Sequence, residues 1–254
     1  MGLEHKEQSF IGNGEALIKP YGSPETDGWR IIGNCGNFSL AHAEDEKFVL
    51  NSRNSAGGKA NSITKISAVT LTANIWDRIS TNIALGTKGA SALVASGSAV
   101  SEVHYGWHAA DRRIPLNHLS PTNIVVKDST DVTTYVLNTD YTVSSIGLIT
   151  VLSTGAITDG QELHISYDYV EYNKIESLIN SGIEYAVKFY GLNAAQSDTP
   201  VVVEMYKVKF GAAGEMPMIS EDFVSLDLAA EILADDSIVG AGLSQYYTVK
   251  QVEA

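Results

Sequence analysis

The chain has 254 residues, with 17 Lys and Arg against 30 Asp and Glu, for a formal net charge of −13. Hydrophobic residues at 44% and charged ones at 19% exclude a disordered chain, and a chain this long can bury roughly 70–75% of its unfolded surface without staples. The single cysteine, Cys35, excludes an internal disulfide framework and a multi-cysteine metal site. The acidic balance argues against a nucleic-acid binder, which needs a clustered basic surface, but not against a protein that keeps nucleic acid from sticking.

Residues 1–6 carry mixed charge and lack the apolar core of a signal peptide. Lys6 stands where a myristoylation motif starting at Gly2 needs Ser or Thr. No run approaches the ~20 apolar residues of a spanning helix, and residues 92–100 are broken by Ser96, Gly97 and Ser98. A soluble protein without a membrane segment is expected.

Period-2 alternation dominates the rest. Residues 30–32 read as a strand, and residues 47–50 and 63–73 as two more. The stretch between them, 51–62, has no apolar residue larger than alanine, so it is expected to project into solvent or onto a neighbour. Ile75, Ile79 and Ile83 recur every fourth residue beside Trp76, which predicts a packed amphipathic helix over 75–85, capped by Asn74 and ended by Gly86. Residues 86–101 have a linker's composition. Short strand-like runs at 124–127, 132–137, 141–143, 148–152 and 163–169 then form a small β unit. The expected organisation is a main domain over 1–101 and 175–254, interrupted by an inserted domain over 102–174.

A short helical turn is expected at 174–181, ended by Gly182. Beyond it, residues 183–190 alternate as a strand, and 201–210 is apolar at both parities in its first half, as in a central strand. In 224–232, Val224, Leu226, Leu228, Ala230 and Ile232 share one face, and Ser225, Asp227, Ala229 and Glu231 the other. Residues 245–252 read as a last strand. The expected fold is mainly β, a sandwich or barrel with one amphipathic helix across it.

Catalytic motifs are absent. Neither Lys59 nor Lys88 has the glycine spacing of a phosphate-binding loop, and the glycines around Asn34 and Cys35 do not fit dinucleotide spacing. No G-x-S-x-G surrounds any serine. His104 and His108 are four apart, but Gly106 and Trp107 intervene and no H-E-x-x-H pattern is present, so hydrogen-bonded histidines are expected rather than metal ligands. Cys35 near His42 reads as an inert buried thiol, and Glu44, Asp45 and Glu46 as a solvated strand end.

The order of these pieces resembles the major tail tube proteins of long-tailed bacteriophages, particularly the flexible-tailed kind. Residues 29–40 are similar to the family's first strand, followed by the acidic segment at Glu44–Glu46, the polar loop 51–62, and a strand 63–73 running into a helix 75–85. Residues 201–210 are similar to its long strand, and 215–223 with the strand to Ile232 to its closing hairpin. Residues 123–126 and 139–143 resemble modules inserted in such proteins.

The resemblance implies a tail-tube-type β-sandwich or barrel that polymerises as stacked, usually hexameric rings into a hollow virion tail conducting DNA, assembled in the host cytoplasm. In the family, inner sheets of neighbouring subunits join into one barrel, and a long hairpin loop reaches the adjacent ring. Here that loop carries Asn51, Arg53, Asn54, Gly57, Gly58, Lys59 and Asn61. Partners would be further copies and the tape measure, distal tail and tail terminator proteins. DNA passes without specific binding, and no enzyme activity, cofactor or metal is implied. A channel wall should repel phosphate, which makes Asp227 and Glu231 candidates for the lumen. The alternative function is a non-enzymatic β-sandwich binding module that recognises a cell-surface glycan or protein through the inserted domain. A third is an enzyme whose site leaves no motif.

Overall fold

Strong alternation becomes strand throughout the computed structural model, which describes residues 9–53, 57–109 and 111–252. In chain order come β1 (Gly12–Pro20), β2 (Arg30–Ile31), β3 (Cys35–Leu50), β4 (Lys59–Ile75), helix α1 (Ser80–Gly86), β5 (Ala90–Val94), β6 (Gly97–Tyr105), β7 (Thr122–Asp128), β8 (Thr134–Tyr135), β9 (Tyr141–Val143) and β10 (Ile149–Val151). They are followed by β11 (Glu162–Tyr169), β12 (Tyr172–Glu176), β13 (Tyr185–Asn193), β14 (Thr199–Phe210), β15 (Leu226–Ile232) and β16 (Tyr247–Gln251). The fold is mainly β, and the chain divides into two compact units, Met1–Ser91 with Ile175–Ala254, and Ala92–Lys174. Strands β5 and β12 pair as a separate ribbon.

The larger unit is built on an eight-stranded antiparallel sheet in the order β2-β1-β13-β14-β15-β4-β3, with β16 also beside β14. Strand β14 is central, as its apolar residues at both parities predict. It pairs with β13 on one edge; on the other it pairs with β16 along Val201–Met205 and with β15 along Val208–Phe210. Strand β15 shows the alternation of a half-buried strand. Leu226, Leu228, Ala230 and Ile232 are buried, while Asp227, Ala229 and Glu231 are exposed. These side chains join Val69, Leu71, Ala73 and Ile75 of β4, Ile18 of β1, Val187 of β13 and Met205 of β14 in one core. Burying each large aliphatic chain contributes about 1.5–3 kcal/mol.

The helix is shorter than the isoleucine spacing predicts. Ile75 is the last residue of β4, fully buried and paired with Leu226 and Cys35. The inward period Val69, Leu71, Ala73, Ile75 thus runs two ladders deep, and those hydrogen bonds outcompete a helix at Ile75. Trp76 and Ile79 are about half exposed, Ile79 being the N-cap, so of the four residues expected to pack the helix only Ile83 lies in it. Residues 76–79 are held irregular, with Trp76 N–H donating to the Asn34 carbonyl at 2.9 Å and the Asp77 carboxylate accepting from Asn34 N–H at 3.0 Å. Asn74 sits in β4 and donates to Asp227 instead of capping. Gly86 is the last helical residue, where a Cβ would meet the Leu226 side chain at 2.6 Å.

Two further expectations are corrected. Residues 86–101, expected as linker, contain β5 and much of β6, and the small unit begins at Ala92, not 102. Small residues suit β6 because Ala99 and Gly97 face Tyr167 and Tyr169 of β11, and a Cβ on Gly97 would lie 2.8 Å from the Tyr169 hydroxyl. No helical turn forms over 174–181. Its start belongs to β12, while Leu178 N–H donates to Thr87 O and Asn180 Nδ2 to Gly89 O, both at 2.9 Å.

The smaller unit holds the four-stranded sheet β6-β11-β7-β8 and the β9–β10 pair. Val126, Tyr141, Ile149, Ile157, Leu163 and Ile165 are among the side chains of its own core. Asp140, nearly buried, accepts the Val136 and Ala156 amides at 2.7 Å each and so ties the β8–β9 turn to the 152–157 loop. Among the described residues, no helix is long and apolar enough to cross a membrane.

Candidate functional site

The β3–β4 hairpin is the element that the larger unit's core explains least. Its strands are 16 and 17 residues long, yet β15 pairs with β4 only between Thr70 and Ile75. Beyond that point, among the described residues, β3 and β4 pair as strands only with each other, and residues 41–50 and 59–67 are all exposed. Phe48 and Ile66 lie on one face of this ribbon and Val49 and Ile63 on the other, each about half exposed or more. A two-stranded ribbon with apolar groups on both faces is marginal alone, and exposed apolar clusters mark interaction sites.

The loop expected over 51–62 is shorter. Lys59 and Asn61 belong to β4, opposite Leu50 and Val49, because the small and polar side chains at 59–62 extend the ladder without needing a core. Lys59 Nζ meets Glu46 Oε2 at 2.5 Å and lies 4.8 Å from the Phe48 ring centroid, a surface pairing of little energetic weight. Asn51 N–H donates to Gly58 O at 2.8 Å, closing the hairpin, and Asn51 Oδ1 accepts from Arg53 N–H at 3.0 Å. Gly57 and Gly58 have φ of 67° and 108°, which glycine adopts freely. Asn54 lies outside the described residues. Glu44, Asp45 and Glu46, expected at a strand end, are exposed mid-strand residues of β3.

Sheet edges frame this ribbon. Among the described residues β3 pairs only with β4, so its outer edge offers an unpaired row of N–H and C=O groups. At the opposite margin, β2 covers only Leu17 and Ile18 of β1, and among the described residues Gly12–Glu15 have no strand on that side. Proteins usually blunt or cover such edges.

Asp227 and Glu231 lie together on the outward face of β15. Asp227 accepts from the Ser225 hydroxyl at 2.6 Å and the Asn74 amide at 2.5 Å, and these bonds hold its carboxyl below the usual range. Neighbouring outward positions are small and polar (Asn37, Ser39, Thr70, Thr72), although Lys209 of β14 stands opposite Glu231.

The segment 215–223 between β14 and β15, similar by sequence to a closing hairpin, exposes apolar side chains that its sequence did not mark as a surface. Met218, Ile219 and Phe223 are 77%, 96% and 100% exposed, next to the acids Glu221 and Asp222. Cys35 is half-buried; burial and then the Asp77 charge push its thiol up, away from the reactive thiolate. His42 bonds the Tyr247 hydroxyl at 2.9 Å, not Cys35.

In the smaller unit the two spaced histidines have separate partners. His104 Nε2 meets Glu102 Oε1 at 2.6 Å, whereas His108 Nε2 contacts the Ile157 carbonyl. Glu102 also accepts the Tyr167 hydroxyl at 2.5 Å and the Asn117 amide at 3.1 Å. Burial opposes its ionisation, but the bonds from Tyr167, His104 and Asn117 outweigh it and hold the carboxyl below the usual range. Burial, and then this bond, push the Tyr167 phenol up. Among the described residues no group of three or more His, Cys, Asp or Glu is placed to hold a metal ion.

Residues 9–250 match the profile of a family described as "Protein of unknown function UCP028589", and the chain belongs to that family. None of the curated proteins matches the chain.

Proposed function

We propose that this member of the UCP028589 family is a non-enzymatic structural subunit that polymerises as stacked rings into the hollow tail tube of a long-tailed bacteriophage, through which DNA passes into the host. The observation that carries the reading is the outer half of the β3–β4 hairpin, two strands deep with exposed apolar side chains on both faces. Ordering about twenty residues costs conformational entropy that two strands alone recover poorly, so contact with a neighbouring ring supplies what the ribbon lacks. The unpaired margins of β3 and β1 suit side-by-side joining of sheets from successive copies, which closes a ring, while head-to-tail stacking leaves an open filament.

Charge supports the same reading. A formal charge of −13 per subunit, repeated along a channel, repels the phosphate backbone, and the small polar face carrying Asp227 and Glu231 suits the lumen side. In this reading the unit Ala92–Lys174 is the inserted module, and the tape measure, distal tail and tail terminator proteins are the remaining partners in the virion tail. A binding module is the second reading. It is favoured by Trp107, 40% exposed with the Arg112 guanidinium 4.4 Å from its ring, an aromatic surface of the kind that glycans and proteins contact.

Replacing residues 44–66 by a two-residue turn tests the proposal. Negative-stain microscopy at rising concentration should show rings or tubes for the parent chain and none for the shortened one, whose circular dichroism and melting stay near the parent's because few core contacts are lost. Full-length tubes from the shortened chain would refute the hairpin's role, and a parent chain that stays monomeric would refute the tube.

A further inference from the structure

Arg30 is a cation held by an amide rather than by a carboxylate. The half-buried Arg30 guanidinium donates through Nη1 to Asn82 Oδ1 at 2.7 Å and weakly to the Ile31 carbonyl at 3.4 Å, and it pairs with no carboxylate among the described residues. Burial draws its pKa down, though an arginine stays charged. Asn82 is fully buried and cannot turn, since its Nδ2 donates to Ile32 O at 2.6 Å and Asp77 O at 2.8 Å. The guanidinium is therefore held in one orientation with donors left over for an anion. Lys19 and Lys188, which lie over the Trp29 ring, are paired with Glu25 and Glu204.

Arg30 lines a cavity of about 420 Å³ whose apolar wall includes Ile18, Leu85 and Tyr185; Trp29, Thr81, the cation Lys19 and one acid, Asp27, also line it, so two cations face one carboxylate there. That size accommodates a bulky side chain together with an adjoining polar group. The 221–223 turn has the opposite chemistry, a fully exposed Phe223 next to Asp222 and Glu221. The turn is also shaped in advance. Ser220 Oγ donates to Asp222 O at 2.8 Å and accepts from Asp222 N–H at 3.1 Å, and Arg78 Nη1 donates to Pro217 O at 2.9 Å.

We propose that the 221–223 turn of one copy docks in the Arg30 cavity of a second copy, the Asp222 carboxylate on the guanidinium and the Phe223 ring against the apolar wall. Turn and cavity are different surfaces, so the contact is heterologous and repeats from copy to copy until it closes a ring. It rests on the self-assembly reading above and adds a lateral contact distinct from the hairpin.

Cross-linking tests the contact directly. One chain carries Thr81→Cys and the other Glu221→Cys, both with Cys35→Ser; Thr81 lines the cavity and Glu221 adjoins the turn's anchors. Oxidising the mixture should give a disulfide-linked pair containing one chain of each kind, because docking brings the Cβ atoms near bonding range. Phe223→Ala, at a fully exposed position where folding is not at stake, should raise the concentration needed for assembly about tenfold or more. Arg30→Glu and Asp222→Arg should each abolish the cross-link, and the two variants mixed should restore it. Rings without the cross-link, or unchanged assembly by Phe223→Ala, would overturn the contact and leave the tube reading standing. Cross-linked pairs that never build rings would uphold the contact and overturn the tube. Chains that neither associate nor cross-link would overturn both.

Discussion

Replacing Asn82 by Ala removes three hydrogen bonds from one buried point. The Ile32 and Asp77 carbonyls each lose a donor, and Arg30 loses its strongest acceptor. A buried carbonyl left unsatisfied costs about 1–3 kcal/mol, and a hydrogen bond to a charged group contributes about 1.5–3 kcal/mol. Water reaches the Arg30 side more easily than the Ile32 carbonyl, so the sum is about 3–5 kcal/mol, or roughly 6–20 °C in Tm for a unit of this size. Urea titration followed by tryptophan fluorescence reads it well, because Trp29 and Trp76 report on this unit and Trp107 on the other. The fluorescence transition of the larger unit should move to lower urea while that of the smaller unit stays. Asn82→Asp keeps an acceptor for Arg30 but offers the two carbonyls no proton, so it too should be destabilised and should recover in part at low pH as the carboxyl protonates. A loss below about 1 kcal/mol for Asn82→Ala would show that the amide does not hold the guanidinium, and with it the pre-set cation falls.

Gly14→Ala should lower stability by about 1–3 kcal/mol in a thermal melt, because a Cβ there would lie 2.3 Å from the Tyr190 carbonyl and backbone cannot yield. The Val136 and Ala156 amides hold the Asp140 carboxyl below its usual range. A depressed carboxylate contributes stability that is full above the unfolded-state pKa of about 3.9 and is lost as pH falls through the folded value. Acid unfolding of the unit Ala92–Lys174, read by circular dichroism, should therefore steepen below that range, and Asp140→Asn should flatten the dependence. Asp227→Lys with Glu231→Lys should leave rings and tubes intact but slow DNA passage; normal infectivity of that double variant would remove both residues from the lumen.

Alternation carried far in this chain because a half-buried strand leaves its mark in neighbouring residues. Leu226, Leu228, Ala230 and Ile232 announce β15, and the two-sided apolar start of β14 announces its central place. The site was legible only in part. A polar stretch after residue 50 drew attention to the hairpin, but the ribbon's apolar tips at Phe48, Val49, Ile63 and Ile66 read like ordinary strand residues. Whether such a residue is buried depends on which strand lies next to it, and β15 stops at Thr70.

Tertiary pairing also overruled local spacing. Ile75, Ile79 and Ile83 satisfy a helical period, yet Ile75 gains two ladder partners and full burial in β4, and the helix starts only at Ser80. The glycine- and serine-rich 86–101 region reads as linker until the tyrosines of β11 are set opposite its small residues. Sequence by itself determined a mainly β chain, the faces of its strands and an acidic charge, because these follow from side-chain period and composition. Only the tertiary structure decided which edges stay open, how far the hairpin outruns its core, and that Arg30 is held by the Asn82 amide, because each depends on residues far apart in the chain meeting in space.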